Sequence, residues 1–92
     1  MTGFSWDENK RAANVAKHGV DFTAAAAFDF DTALILTDER SNYGETREIA
    51  LGFIGTRLHV LVFTRRDGAI RVIGLRKANS RERNRYEKAQ KA

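Results

Sequence analysis

The stretch RVIGLRKANSRERNRY, residues 71–86, places Arg71, Arg76, Lys77, Arg81, Arg83 and Arg85 against a single carboxylate, Glu82. Arginine presents a planar fork of N–H donors that takes a phosphate in two parallel hydrogen bonds, and it stays charged at any working pH. Arg65 adds a further fork upstream. Such a cluster suits an anionic ligand such as phosphate. Few groups are available to move protons beside it. The chain has two histidines, His18 and His59. His59 lies in the alternating run LHVLVFTR and reads either as a half-buried sheet residue or as a proton carrier with Glu48 and Arg76 as neighbours. His18, in Lys17–His18–Gly19, reads either as a helix-end residue whose charge suits the last carbonyls or as a contact for an anion. Tyr86, three residues after Arg83, is either a core anchor with a wet hydroxyl or a partner for a stacked base.

Other chemistries find no support. There is no cysteine, so disulfide scaffolds and thiolate metal sites are excluded. Neither histidine has a second at zinc-ligand spacing, and Asp29 and Asp31 in DFD fit an Asp-rich loop as well as a metal pair. No glycine-rich loop with lysine cradles a nucleotide, and no serine sits in a nucleophile motif. The expectation is a site with no metal and no cofactor.

Charge separates the two halves of the chain. Residues 1–46 carry four basic and eight acidic side chains, whereas residues 47–92 carry twelve basic and four acidic ones. The overall +4 is thus a −4 half joined to a +8 half. A field of that kind implies a partner of its own, and RNA or DNA phosphate is the commonest candidate. With 92 residues, 42% of them hydrophobic and 30% charged, the chain reads as one folded domain, residues 1–92. No apolar run is long enough to span a bilayer, and MTGFSWDENK lacks the apolar core of a signal peptide, so a cytoplasmic protein is expected.

The elements that must position these residues follow from caps and periodicity. Phe4–Trp6 is a short strand. Asp7 caps a helix from Glu8 to about His18, which Gly19 stops. On it Ala12, Val15 and Ala16 share one face, and Lys10, Asn14 and Lys17 another. Thr23 caps a second, alanine-rich helix over about Ala24–Asp29. Ala33–Thr37 reads as a strand and Asp38–Glu45 as a polar loop. Arg47–Ile54, Leu58–Arg65 and Ile70–Arg76 are β-rich runs joined by hairpin-length, glycine-bearing turns. Asn79 and Glu82 form a capping box that opens a last helix to about Ala89. The predicted class is α+β: an antiparallel sheet of about four strands plus a short N-terminal strand, two N-terminal helices and one C-terminal helix.

Two-residue turns at Gly55–Thr56 and Asp67–Gly68 would pair Ile54 with Arg57 and Arg66 with Ala69. One sheet face then carries Ile49, Leu51, Phe53, Leu58, Val60, Val62, Ile73 and Leu75, with Thr64 and Arg71 at one end. It is the expected core beneath the N-terminal helices. The other carries Glu48, Ala50, Gly52, His59, Leu61, Phe63, Arg65, Ile70, Val72, Gly74 and Arg76, and is the expected open site. Glycine inside a strand suggests a bend or close approach by something else, and with Glu, His and two Arg around it this face is a plausible site. A one-residue slip would invert these assignments.

The segments FSWDENKRAANVAKHGVDF, EIALG and IRVIGLRKANSRERNRYEKA resemble the BrnT family of bacterial type II toxins, themselves similar in fold to RelE-like ribonuclease toxins. The likeness rests most on Trp6, Asp7, Lys10, Lys17, His18 and Gly19, then on Arg76, Ala78, Arg81, Glu82, Arg83 and Tyr86. It implies an endoribonuclease that stops translation and is neutralised by a cognate, BrnA-like antitoxin. It further implies a higher-order toxin–antitoxin complex that meets operator DNA only through the antitoxin. On that footing the RNA 2′-hydroxyl attacks the adjacent phosphate without a metal. Arg65 and Arg76 stabilise the added charge, and His59 or Glu48 moves the proton. Lys10, Lys17, His18, Arg83 and Tyr86 hold the RNA. The rival reading is a non-catalytic module whose basic face binds RNA or a protein.

Overall fold

In the computed structural model, which describes residues 3–38 and 45–91, the chain enters through β1 (Phe4–Trp6) and turns at once into α1 (Glu8–His18). Most of the predicted loop between Asp38 and Glu45 lies outside the described residues. Asp7 caps α1 by accepting from the Asn9 and Lys10 amides at 2.8 and 3.2 Å. Gly19, at φ 72, closes it in the left-handed conformation that glycine adopts without strain. The face α1 turns inward is not the alanine face. Ala12, Val15 and Ala16 are exposed, and Asn14 is the buried residue. Its amide donates to the Val20 and Leu75 carbonyls at 2.8 and 2.6 Å, and its oxygen accepts from the Leu75 amide at 3.3 Å. A polar side chain thus fastens the helix to the sheet.

The second helix differs from expectation in type and bounds. It is a 3₁₀ helix over Phe22–Ala27, capped by Asp21, whose side chain accepts from the Thr23 amide at 3.0 Å. Phe22, Ala25 and Phe28 recur every three residues and all are buried. Three residues per turn brings them onto one line, which an α-helix would splay.

β2 (Leu34–Asp38), β3 (Arg47–Ile54), β4 (Arg57–Arg66) and β5 (Ala69–Lys77) complete a five-stranded sheet of order β1-β5-β4-β3-β2. The sheet is mixed: β1 lies parallel to β5, and the other pairs are antiparallel. Both predicted turns hold, with Ile54 opposite Arg57 and Arg66 opposite Ala69. Asp67 and Gly68 have φ 50 and 78, the two positive values that match a hairpin turn to strand twist.

One irregularity changes the site. Thr64 faces Arg71 and Phe63 faces Val72, but Val62 faces Gly74, so Ile73 is an extra residue on β5. Beyond this bulge the predicted pairing slips by one. Val60 pairs with Arg76 and Leu61 with Leu75, and Leu75 and Arg76 exchange faces relative to the expectation.

The helices also cover the opposite face from the one expected. Ala50, Leu61, Phe63, Ile70, Val72 and Leu75 form the larger core with Val20, Phe22, Ala25 and Phe28. At roughly 1.5–3 kcal/mol per large buried side chain, this cluster holds the fold together. Gly52 shows why this face was chosen: a Cβ there would lie 2.5 Å from Cζ of Phe28. The small residue admits the protein's own phenylalanine, not a ligand. The other face packs Leu51, Leu58 and Val60 against Ala78 and Tyr86 around α2 (Ser80–Lys91).

Candidate nucleic-acid interface

Only part of the α2 side of the sheet is closed. Tyr86 sets its ring edge-on to Phe53, 5.6 Å between centroids, and donates its hydroxyl to the Thr32 carbonyl at 2.8 Å. Of its two predicted roles the geometry is that of the core anchor. Further along the strands, Leu36, Ile49, Val62 and Gly74 stand side by side and only half buried. The next row carries Asp38 opposite Arg47 and Thr64 opposite Arg71. Arg71 has no carboxylate partner among the described residues. A flat apolar floor with arginines at its margin can take a sugar or base while forks hold phosphate.

Arg76 stands where α2 begins, on this same side. Its Nη1 and Nη2 donate to Oε1 and Oε2 of Glu82 at 2.8 and 2.7 Å, and Nη1 also points at the Lys77 carbonyl at 3.4 Å. Glu82 is itself fixed by the predicted capping box: Oε1 accepts from the Asn79 amide at 2.9 Å, and the Glu82 amide donates to Asn79 at 2.8 Å. The strand arginine and the helix cap are therefore one unit. Of the five guanidinium donors three are used, leaving Nε–H and one Nη2–H, which share an edge and form a second fork. Hydrogen bonding to Glu82 raises the Arg76 pKa further, and the same bond, with the Asn79 amide, holds the Glu82 carboxyl below its usual range.

The four residues expected to form one catalytic cluster do not all come together. His59 is 6% exposed, on the face that α1 and the 3₁₀ helix cover, and its Nδ1 lies 2.9 Å from the Arg57 carbonyl. It pairs with Gly52 and Lys77, not with Arg76. Arg65 and Glu48 do find each other, at 2.7 Å, with the guanidinium 5.3 Å from the Phe63 ring centre. That hydrogen bond raises the Arg65 pKa. The pair points to the same side as His59, at the far end of β4. Arg65 is five residues from Val60, the partner of Arg76, or about 17 Å along the strand. Arg65 and Arg76 therefore cannot grip one phosphate. Lys10, Lys17 and His18 are exposed on α1, across the sheet from Arg76, while Arg83 is exposed on α2.

Sequence reasoning missed three features. Glu82 was recognised as a cap but not as the partner of Arg76, because the bulge that turns Arg76 toward it is invisible in alternation. Arg71 was placed on its true face but at the end of a supposed core. Arg47 was counted only as the start of a strand. The signal available for the bulge was Gly74, a strand glycine that no steric contact requires: a Cβ there would meet only Val62, at 3.9 Å. Among the described residues no group of three or more His, Asp or Glu could hold a metal, and no helix is long and apolar enough to cross a membrane.

Fold and surface together define a small basic α+β domain with one sheet face sealed and the other half open beside an arginine-rich helix. The chain belongs to the family of BrnT ribonuclease toxins of type II toxin-antitoxin systems, which it matches over residues 6–82. It is thus an enzyme of the ribonuclease class. It is similar to the Brucella abortus ribonuclease toxin BrnT, known from a crystal structure, with 28% identity and a TM-score of 0.68 over 87% of this chain and 100% of that one. No curated protein matches the chain.

Proposed function

We propose that this toxin cuts RNA internally on the α2 side of its sheet, and that Arg76 holds the scissile phosphate. The observation that carries this reading is the clamp on Arg76, which leaves one guanidinium edge unoccupied beside the half-open apolar floor. A fork fixed by Glu82 needs no reorganisation when the phosphate gains charge, so it favours the transition state over the ground state. The RNA 2′-hydroxyl attacks the neighbouring phosphorus and gives up its proton to water, the 5′-oxygen of the next nucleotide leaves and takes a proton from water, and a 2′,3′-cyclic phosphate forms. Arg71 holds a flanking phosphate. Neither histidine is available on this side, so charge stabilisation rather than an imidazole pair drives the step.

In the cell the reading is a cytoplasmic enzyme that stops translation until a cognate, BrnA-like antitoxin covers the same surface. The half-exposed Leu36, Ile49 and Val62 with cations around them match a protein interface, apolar at its centre and polar at its rim. Operator DNA would be met through the antitoxin in a larger complex. The test is cleavage of RNA by Arg76→Ala and by Arg65→Ala. Arg76→Ala should lose activity by about a hundredfold or more, the scale seen when one oxyanion donor is removed. Arg65→Ala should stay within severalfold of the parent. The opposite ranking would return the site to the sealed face.

A further inference from the structure

We infer that one flank of α2, made by Arg81, Arg85 and Lys88, is a second binding site that takes the backbone of the RNA beyond the scissile step. The inference rests on RNA being the ligand of the α2 side. It starts from how charge is arranged on the helix. Glu82, Tyr86 and Ala89 are the half-buried or buried positions, and they turn toward the sheet. At 100° per residue, Arg81, Arg85 and Lys88 fall together on one flank, and Arg83, Glu87 and Gln90 on the other. One flank therefore holds three cations and no acid, while the opposite one is balanced. Ser80 and Asn84 complete a shallow groove with the three cations.

A face evolved only for solubility intersperses signs at i,i+4, because opposite charges there support a helix and like charges weaken it. Here Arg81–Arg85 and Arg85–Lys88 are like-charged neighbours. None of the three has a carboxylate partner among the described residues, and the one acid that could have served, Glu82, is taken by Arg76. The helix tolerates the repulsion because its cap and its Tyr86 anchor fix it independently. From Arg81 to Lys88 the helix rises about 10 Å, enough to meet successive phosphates of an extended strand. The flank begins one residue before Glu82, so a strand held at Arg76 can continue onto it. No aliphatic or aromatic residue lines the groove, only two small polar side chains and the three cations with their methylene stems. That composition suits a sugar-phosphate backbone better than a folded protein.

The test uses RNA with every 2′-oxygen methylated, which blocks the attacking group so that binding is read without cleavage. A short oligonucleotide spans only the scissile step and its neighbours, and a longer one extends past it. In the full chain, Arg81→Gln/Arg85→Gln/Lys88→Gln should weaken the longer RNA by at least about tenfold. It should also flatten its log–log salt dependence by about 2, at about 0.7 per lost contact. Its affinity for the short RNA should change less than twofold. A variant with equal charge removed elsewhere, Arg11→Gln/Arg57→Gln/Lys77→Gln, should keep the steep slope. Equal losses on both lengths, or in both variants, would reduce the effect to net charge and overturn the inference. So would an unchanged slope, or a loss confined to antitoxin binding, which would assign the flank to a protein. If neither RNA binds the parent protein in a salt-dependent way, the RNA reading itself fails and takes this site with it.

Discussion

Replacing Gly52 with alanine adds one methyl group and asks which face of the sheet is sealed. On the built backbone the new carbon would lie 2.5 Å from Cζ and 2.9 Å from Cε1 of Phe28, and 3.1 Å from Cβ of Ala33. Ordinary carbon contacts sit near 3.5–4.0 Å, so the ring must retreat by about 1 Å. It has little room to do so. Phe28 packs edge-on against Phe30 at 4.9 Å, and Phe30 in turn against Phe63 at 5.9 Å, so displacing one ring disturbs the row. Overpacking of this kind costs about 1–3 kcal/mol. In a domain of this size each kcal/mol lowers the melting midpoint by roughly 4–8 °C. Gly52→Ala should therefore lower it by roughly 5–20 °C, read by circular dichroism or calorimetry. Phe28→Leu in the same background should recover part of the loss, giving a favourable coupling between the two changes. A Gly52→Ala protein as stable as the parent would mean that this face is open, and the sealed-face account would be wrong.

Asn14→Leu removes the amide that serves the Val20 and Leu75 carbonyls and the Leu75 amide, and should destabilise by about 2–4 kcal/mol in urea titration. Tyr86→Phe loses one hydrogen bond to Thr32 while keeping the ring on Phe53, so stability should fall by only about 0.5–1.5 kcal/mol. Glu82 gives a pH signature. Its folded value is depressed, so its contribution is present above the ordinary glutamate value of about 4.3 and is lost as pH falls through the lower folded value. Glu82→Gln keeps the capping geometry but not the charge. It should be less stable than the parent at neutral pH and converge with it in acid; a gap that persists at low pH would show that the carboxylate contributes nothing through its charge. Arg65→Ala, which breaks a pair whose arginine is 57% exposed, should change stability by less than about 1 kcal/mol.

Local features were legible in the sequence because they are decided locally. Asp7, Gly19, Asn79 with Glu82, and the Asp67–Gly68 turn each satisfy backbone groups within a few residues, and the strands flanking the turns follow. The parallel placement of β1 beside β5 depends on contacts such as Trp6 with Phe22, 6.2 Å between ring centres, which no local pattern encodes. The choice of sealed face was misjudged for a related reason. Counting large aliphatic side chains favours the face of Ile49, Leu51, Val60 and Val62, but helices approach closest where the sheet is thin, at Ala50 and Gly52. Small residues were mistaken for an empty site when they admit Phe28 and the 3₁₀ helix. The bulge at Ile73 then moved Arg76 across the sheet, and with it the part of the site that the sequence had identified by residue type but not by place.

The central claim, that RNA binds on the α2 side around Arg76, is tested most directly by mapping backbone amide shifts on adding 2′-O-methylated RNA. RNA bound there should perturb Ile49, Val62, Arg71, Gly74 and Arg76 and the start of α2, and leave α1 and the 3₁₀ helix unaffected. Perturbations centred on Lys10, Lys17, Glu48 and Arg65, with the α2 side silent, would contradict it.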